Sequence, residues 1–196
     1  MCGIVGYVGA KRKISEILID GLKRLEYRGY DSAGLAVLLN NKIEVVRSAG
    51  KVSTLDKKVN ENWDSKLLKN VKAGIAHTRW ATHGPPTEVN AHPHCDHNKQ
   101  IVLVHNGIID NYSELKAKLS SKGIKFQSDT DTEVLVNLIA ECYDGDLCSA
   151  VAAALKQVSG TYGIAVLAKD QPDKMVVARK GSPIVIGLGD DEVFTA

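Results

Sequence analysis

Apolar and polar positions along this chain alternate between two periods, and the switches between them predict its elements. The run from Cys2 to Val8, ended by Gly9, reads as a buried strand. Ile14, Ile17, Leu18, Leu22 and Leu25 then recur at helical spacing and predict an amphipathic helix over about residues 13–25. The polar turn Glu26–Ser32 leads into a second apolar strand, Leu35–Leu39. Asn40-Asn41 reads as a hairpin turn into Ile43–Arg47, although it lacks the usual glycine. Residues 53–70 are charged and read as helical or irregular, and a strand near Val71–His77 follows.

A long loop at 79–99 is rich in His, Pro and Asn, and the strand Ile101–His105 stops at Asn106-Gly107. Helices are expected over about 112–122, capped by Asn111 or Ser113, from Asp131 or Thr132 to about Tyr143, and over Cys148–Gln157. The remainder is strand text: 161–168, 174–179, 184–188 and 192–196. Strands in consecutive hairpins outnumber βαβ alternations, so the pattern predicts a mainly antiparallel α+β fold. The chain ends inside a strand-like run, Glu192–Ala196, and is therefore expected to be a piece of something longer.

Composition narrows the classes without choosing among them. The 196 residues are 44% hydrophobic and 24% charged, with a formal net charge of +2, so a sizeable core needs neither disulfides nor metals. There is no basic tail or stripe, and only 5% of residues are aromatic, which argues against a nucleic-acid platform. No run is long and apolar enough for a membrane span, and the N-terminus lacks the pattern of a signal peptide. Cys2, Cys95, Cys142 and Cys148 form no CxxC pair, which fits free thiols in a reducing, cytoplasmic compartment. Cys142 and Cys148 are expected to be small core hydrophobes.

Candidate chemistry begins at Cys2. If Met1 is removed, one residue carries both a thiol and the α-amine, a nucleophile with its own base. That amine has a pKa of about 7.7–8.0, against about 8.5 for a free thiol, so it can take the thiol proton near neutrality. Asn106 and Gly107 offer a side-chain amide and a flexible backbone N–H, the two donors of an oxyanion hole, although Asn-Gly also makes ordinary turns. Arg79 presents a planar fork suited to a small carboxylate, with Thr82 and His83 as neighbouring donors and Trp80 able to cover a pocket. Asp131 reads either as a helix cap or as the partner of an ammonium group. Together these residues suit a zwitterionic amino acid with a reactive side-chain carbonyl, for which glutamine is the obvious candidate. All six histidines, 77, 83, 92, 94, 97 and 105, fall in one stretch. They read as hydrogen-bonding posts in a loop, as substrate contacts, or as a zinc site around His92–His97; the crowded loop lacks the paired spacing of structural zinc.

Met1–Gly6, Glu26–Gly34, His77–Gly84, Asn90–His94 and His105–Ile109 occur in order, and together they resemble a known family. This is the N-terminal glutaminase domain of the glutamine–fructose-6-phosphate aminotransferases (isomerizing), or glucosamine-6-phosphate synthases, within the class II glutamine amidotransferases. The resemblance covers essentially the whole chain, residues 1–196. It implies an N-terminal-nucleophile hydrolase fold, a four-layer αββα sandwich of two antiparallel sheets. It implies Cys2 as nucleophile forming a γ-glutamyl thioester, Asn106 and Gly107 as oxyanion hole, and Arg28 and Gly29 as organisers of the nucleophile's surroundings. Arg79, Thr82 and His83 would grip the glutamine carboxylate, Asp131 its ammonium, and Trp80 would move with pocket closure and ammonia passage. No metal or other cofactor, no nucleic acid and no membrane are implied. Fructose 6-phosphate would be met only through sugar-isomerase domains absent from these residues, in a full-length enzyme that is a homo-oligomer.

Overall fold

Ten strands and five α-helices follow one another among the described residues of the computed structural model, which are 2–28, 30–64, 68, 71–81 and 84–196 (for Arg28, the backbone alone). The first half is β1 (Gly3–Gly9), α1 (Ile14–Leu25), a 3-10 turn at Glu26–Arg28, β2 (Ser32–Leu39), β3 (Lys42–Ala49), α2 (Val52–Asn62) and β4 (Ala73–Arg79). The second is β5 (His94–Cys95), β6 (Ile101–Ile109), α3 (Tyr112–Ser121), α4 (Asp131–Glu141), α5 (Leu147–Leu155), β7 (Gly160–Ala168), β8 (Met175–Lys180), β9 (Ile186–Gly189) and β10 (Glu192–Thr195). Asn40 and Asn41 both take positive φ, 49° and 59°, the conformation that a two-residue hairpin demands of its central pair.

The strands form a six-stranded sheet in the order β3-β2-β4-β1-β10-β9 and a four-stranded sheet in the order β5-β6-β7-β8. Every adjacent pair is antiparallel. Side-chain alternation along a strand sorts residues onto two faces, and three apolar layers result. Val5, Tyr7, Leu35 and Val37 pack against α1 and α2 through Leu18, Leu22 and Leu55. Ile4, Ala36, Leu38 and Ile75 meet Val102, Val104, Ala165 and Leu167 between the sheets. Leu103, Ile109, Ile164 and Val166 pack against α4 and α5 through Leu135, Leu138 and Val151. This is the four-layer αββα sandwich that the resemblance implies.

The same alternation places the site. In β4, Ala73 and Ile75 face the gap between the sheets, so His77 and Arg79 point into its continuation. In β6, Val102 and Val104 do the same, which directs Asn106 there. Ile4 of β1 also faces the gap, and Cys2 lies two residues before it. At this end the inter-sheet core changes from aliphatic to polar.

Three expectations need correcting. β6 does not stop at Asn106 but runs through Asn106-Gly107 to Ile109, paired with β7 throughout. Cys148 is exposed and Cys142 half-buried, so Cys148 is no core residue. The 79–99 stretch is not all loop, because His94-Cys95 pairs with Leu103-Val102.

Candidate active site

A cleft of about 670 Å³ opens at the polar end of the inter-sheet layer. Cys2, Arg79, Trp80, Asn106, Gly107 and Asp131 all line it. Six of the ten residues singled out from the sequence are thus brought together from four separate segments. Gly29, Thr82, His83 and the side chain of Arg28 lie outside the described residues.

Cys2 is half-buried, and its sulfur accepts the backbone N–H of Trp80 at 3.1 Å. Burial pushes the Cys2 thiol up, and the Trp80 N–H draws it part of the way back. Deprotonating this sulfur therefore requires a base.

Asn106 and Gly107 sit side by side on β6. The Asn106 amide oxygen is 2.8 Å from His77 Nε2. Gly107 takes φ +137°, and a Cβ there would lie 2.1 Å from the Thr161 carbonyl oxygen. Only glycine lets the strand run this close to β7, so the Gly107 backbone is held by its neighbour rather than by a turn.

Arg79 is buried at the end of β4, 3% exposed, with Nη2 donating to the Gly84 carbonyl and Nη1 to the Pro85 carbonyl, both at 3.3 Å. Its guanidinium is also 4.0 Å from Asp31. Asp31 was not singled out from the sequence, although it stands within the Glu26–Gly34 motif. Its carboxylate accepts from the Ala81 N–H and, at 2.9 Å, from the Ser32 hydroxyl, joining the start of β2 to the segment after β4. Trp80 is 54% exposed at the cleft edge and is not a core anchor.

Asp131 opens α4 but does not cap it; the cap is Thr130, whose hydroxyl accepts from Glu133 N–H at 3.2 Å. Asp131 Oδ2 instead accepts the Ile109 N–H at 2.9 Å, tying α4 to β6 two residues past Gly107. The cleft thus carries an acidic group at Asp131 and a basic one at Arg79.

The histidines divide by burial. His77, His92, His94 and His105 are nearly or fully buried. His92 Nε2 and His105 Nδ1 meet Thr132 Oγ1 at 2.6 and 3.0 Å, and His94 Nε2 meets Thr130 Oγ1 at 3.1 Å. His97 bonds Asn137 at the far side of the loop. These are hydrogen-bonding posts, although His77, His94 and His105 stand in strands rather than in a loop. Among the described residues no three His, Cys, Asp or Glu side chains are grouped so as to hold a metal ion. Thr132 was named in the sequence only as a possible helix start; nothing local marks it as the shared partner of two histidines forty and twenty-seven residues away.

Burial, which disfavours the charged ring, holds His77 and His94 down to about 3 and His92 well below its ordinary value. In the unfolded chain each titrates near 6.5. Between these values the unfolded state binds more protons, so stability is complete above about pH 6.5 and falls as pH drops toward about 3. Each such ring should cost roughly 1.4 kcal/mol of stability per pH unit in that window. Urea midpoints measured from pH 7.5 to 4.5 should therefore fall steeply, and His94→Asn should flatten the slope. An unchanged slope in that variant would contradict the assignment.

Residues 77–194 match the family model described as glutamine amidotransferase domain. The chain belongs to the glutamine amidotransferase family. The chain is 52% identical over 196 residues to the glutamine–fructose-6-phosphate aminotransferase (isomerizing) of Clostridium perfringens, covering 100% of the chain and 31% of that protein. It is 54% identical over 200 residues to the enzyme of the same name from Bacteroides thetaiotaomicron, covering 100% of the chain and 32% of that protein. Its fold matches the glutamine phosphoribosylpyrophosphate amidotransferase of B. subtilis with TM-score 0.80 at 26% identity, covering 100% of the chain and 41% of that structure. The chain thus spans about a third of the length of the curated relatives it matches. None of its described helices is long and apolar enough to cross a membrane.

Proposed function

We propose that this chain hydrolyses the side-chain amide of L-glutamine to glutamate and ammonia through a γ-glutamyl thioester on Cys2. The observation that carries the reading is one cleft lined by a thiol, a side-chain amide beside a glycine backbone, a guanidinium and a carboxylate. With Met1 removed, the α-amine of Cys2 takes the thiol proton and the sulfur attacks the amide carbon. Charge passes to the carbonyl oxygen, where the Asn106 side-chain amide and the Gly107 N–H stabilise it. The C–N bond breaks as the α-ammonium returns the proton to the leaving nitrogen, and ammonia departs. Water then attacks the thioester carbonyl, releasing glutamate and regenerating the thiol.

Arg79 binds the substrate α-carboxylate and Asp131 its α-ammonium, so the reach from this clamp to the Cys2 sulfur selects the side-chain length of glutamine. Thr82 and His83 join the carboxylate grip, and Arg28 and Gly29 arrange the nucleophile's surroundings; sequence resemblance supports these four. Exposed Trp80 covers the cleft during turnover, a gating role. In this reading residues 1–196 form the glutaminase domain of a longer enzyme that passes the ammonia to fructose 6-phosphate bound by sugar-isomerase domains, giving glucosamine 6-phosphate. Identities of 52% and 54% to the glutamine–fructose-6-phosphate enzymes, against 26% to the phosphoribosylpyrophosphate enzyme, favour this acceptor. A reducing cytoplasm suits the nucleophilic thiol, and the intact enzyme works as a homo-oligomer.

The test is ammonia release from L-glutamine by the chain with its first residue established by intact mass. A glutamine analogue carrying an electrophilic carbon at the amide position should add once, on Cys2, and stop the release. Rapid turnover of the fully labelled protein, or labelling confined to Cys95, Cys142 or Cys148, would refute the reading.

A further inference from the structure

Resting on the oxyanion role just given to Asn106, we propose that His77 is its positioning residue, donating a proton from Nε2 to the Asn106 amide oxygen so that the NH2 group faces the cleft. The bond spans the two sheets: His77 stands on β4 of the six-stranded sheet, Asn106 on β6 of the four-stranded one. At 2.8 Å it is a full hydrogen bond. The amide oxygen can only accept, which puts the proton on His77 Nε2.

The other nitrogen agrees. His77 Nδ1 is buried and makes no hydrogen bond of normal geometry, the His105 backbone lying near the ring without closing one. A lone pair left bare there is tolerable, whereas a buried bare N–H is among the rarest features of folded proteins. The ring is therefore the neutral Nε2–H tautomer, in keeping with burial's depression of its basicity.

The ring is also fixed in place. It is 0% exposed, and its centroid lies 4.3 Å from that of His92, which Thr132 holds in turn at 2.6 Å. On its own strand His77 pairs with Ile4 of β1, two residues from Cys2. One residue thus meets the strand that follows Cys2 through its backbone and the strand that carries Asn106 and Gly107 through its ring.

An asparagine amide has two orientations that differ by a half-turn and occupy the same space. One offers N–H to a developing oxyanion; the other offers a second oxygen and repels it. His77 makes the first orientation the bonded one, and cleft solvent cannot impose that preference.

A double-mutant cycle of His77→Leu and Asn106→Ala tests this in the chain, reading kcat and KM for glutamine hydrolysis. His77→Leu alone should lower kcat by about tenfold or more, the worth of one orienting hydrogen bond, with KM moved less than about threefold. In the Asn106→Ala background the same change should cost less than about threefold, because the group His77 acts through is gone. His77→Gln, which keeps a donor, should recover part of the loss.

Losses that multiply in the double variant, or an undiminished kcat in His77→Leu, would overturn the proposal. Should the leucine variant not fold, 15N spectra of the unsubstituted chain decide: His77 must show the neutral Nε2–H pattern from pH 5 to 8. An imidazolium or Nδ1–H pattern would sink it. Failure of the underlying reading looks different, since Asn106→Ala alone would then leave kcat intact and both ideas would fall together. If Asn106→Ala lowers kcat but His77 proves additive, only the positioning role is lost.

Discussion

Replacing Cys2 with alanine should abolish ammonia release from glutamine, a loss of about 10⁴-fold or more in kcat. The size follows from how little else in the cleft could take over. Arg79 and Asp131 hold opposite charges and can bind a zwitterion, but neither forms a covalent intermediate there. Burial pushes the Cys2 thiol up and the Trp80 N–H at 3.1 Å only partly offsets it, so the sulfur depends on a base to become nucleophilic. In the proposed mechanism that base is the α-amine, with its pKa of about 7.7–8.0 once it is free. A chain carrying one extra residue ahead of Cys2 should therefore be as silent as Cys2→Ala, although its thiol is present, since the amine is then an uncharged amide. Both variants should still bind glutamine in a calorimeter, because the proposed clamp does not include the sulfur. Turnover above about one per cent in either would mean that another group initiates the reaction.

Much of this architecture was legible in the residue pattern, and the failures have physical causes. α1 was readable because Ile14, Leu18 and Leu22 bury one helical face against β1 and β4. The Asn40-Asn41 hairpin was readable because asparagine tolerates the left-handed region nearly as glycine does. β6 was cut short because Asn-Gly is a turn signal on local grounds. What overrides it is tertiary: Gly107 stays in the strand because β7 pairs with it and leaves no room for a side chain. Cys148 was placed in the core by composition, yet it sits on the solvent side of α5, whose inward positions are Leu147, Ala150, Val151 and Ala154.

The site residues were legible as types, but their convergence was not. Arg79 and Asn106 line one cleft because odd positions of β4 and even positions of β6 face one gap, and β1 and α4 bring Cys2 and Asp131 to it. No local signal reports which two strands will face each other across it. The same blindness hid Asp31 and Thr132, whose importance lies in partners twenty-seven to fifty residues away.

Asn106→Ala should lower kcat by about 10²–10³-fold while KM for glutamine changes little, the pattern of a donor that matters mainly when the oxygen becomes charged. Asn106 is half-buried, so removing its amide should leave the fold intact, and melting temperature should move little. Asn106→Asp sharpens the expectation. Aspartate matches the shape, and one of its oxygens can still accept from His77 as the amide oxygen does at 2.8 Å. The other oxygen then replaces the NH2 group and carries negative charge toward the point where the transition state develops its own. Alanine merely withdraws a donor, whereas aspartate substitutes a repulsion. Asn106→Asp should therefore be the slower of the two variants despite being the better isostere. An aspartate variant faster than the alanine one would mean that the amide NH2 does not face the reacting carbonyl.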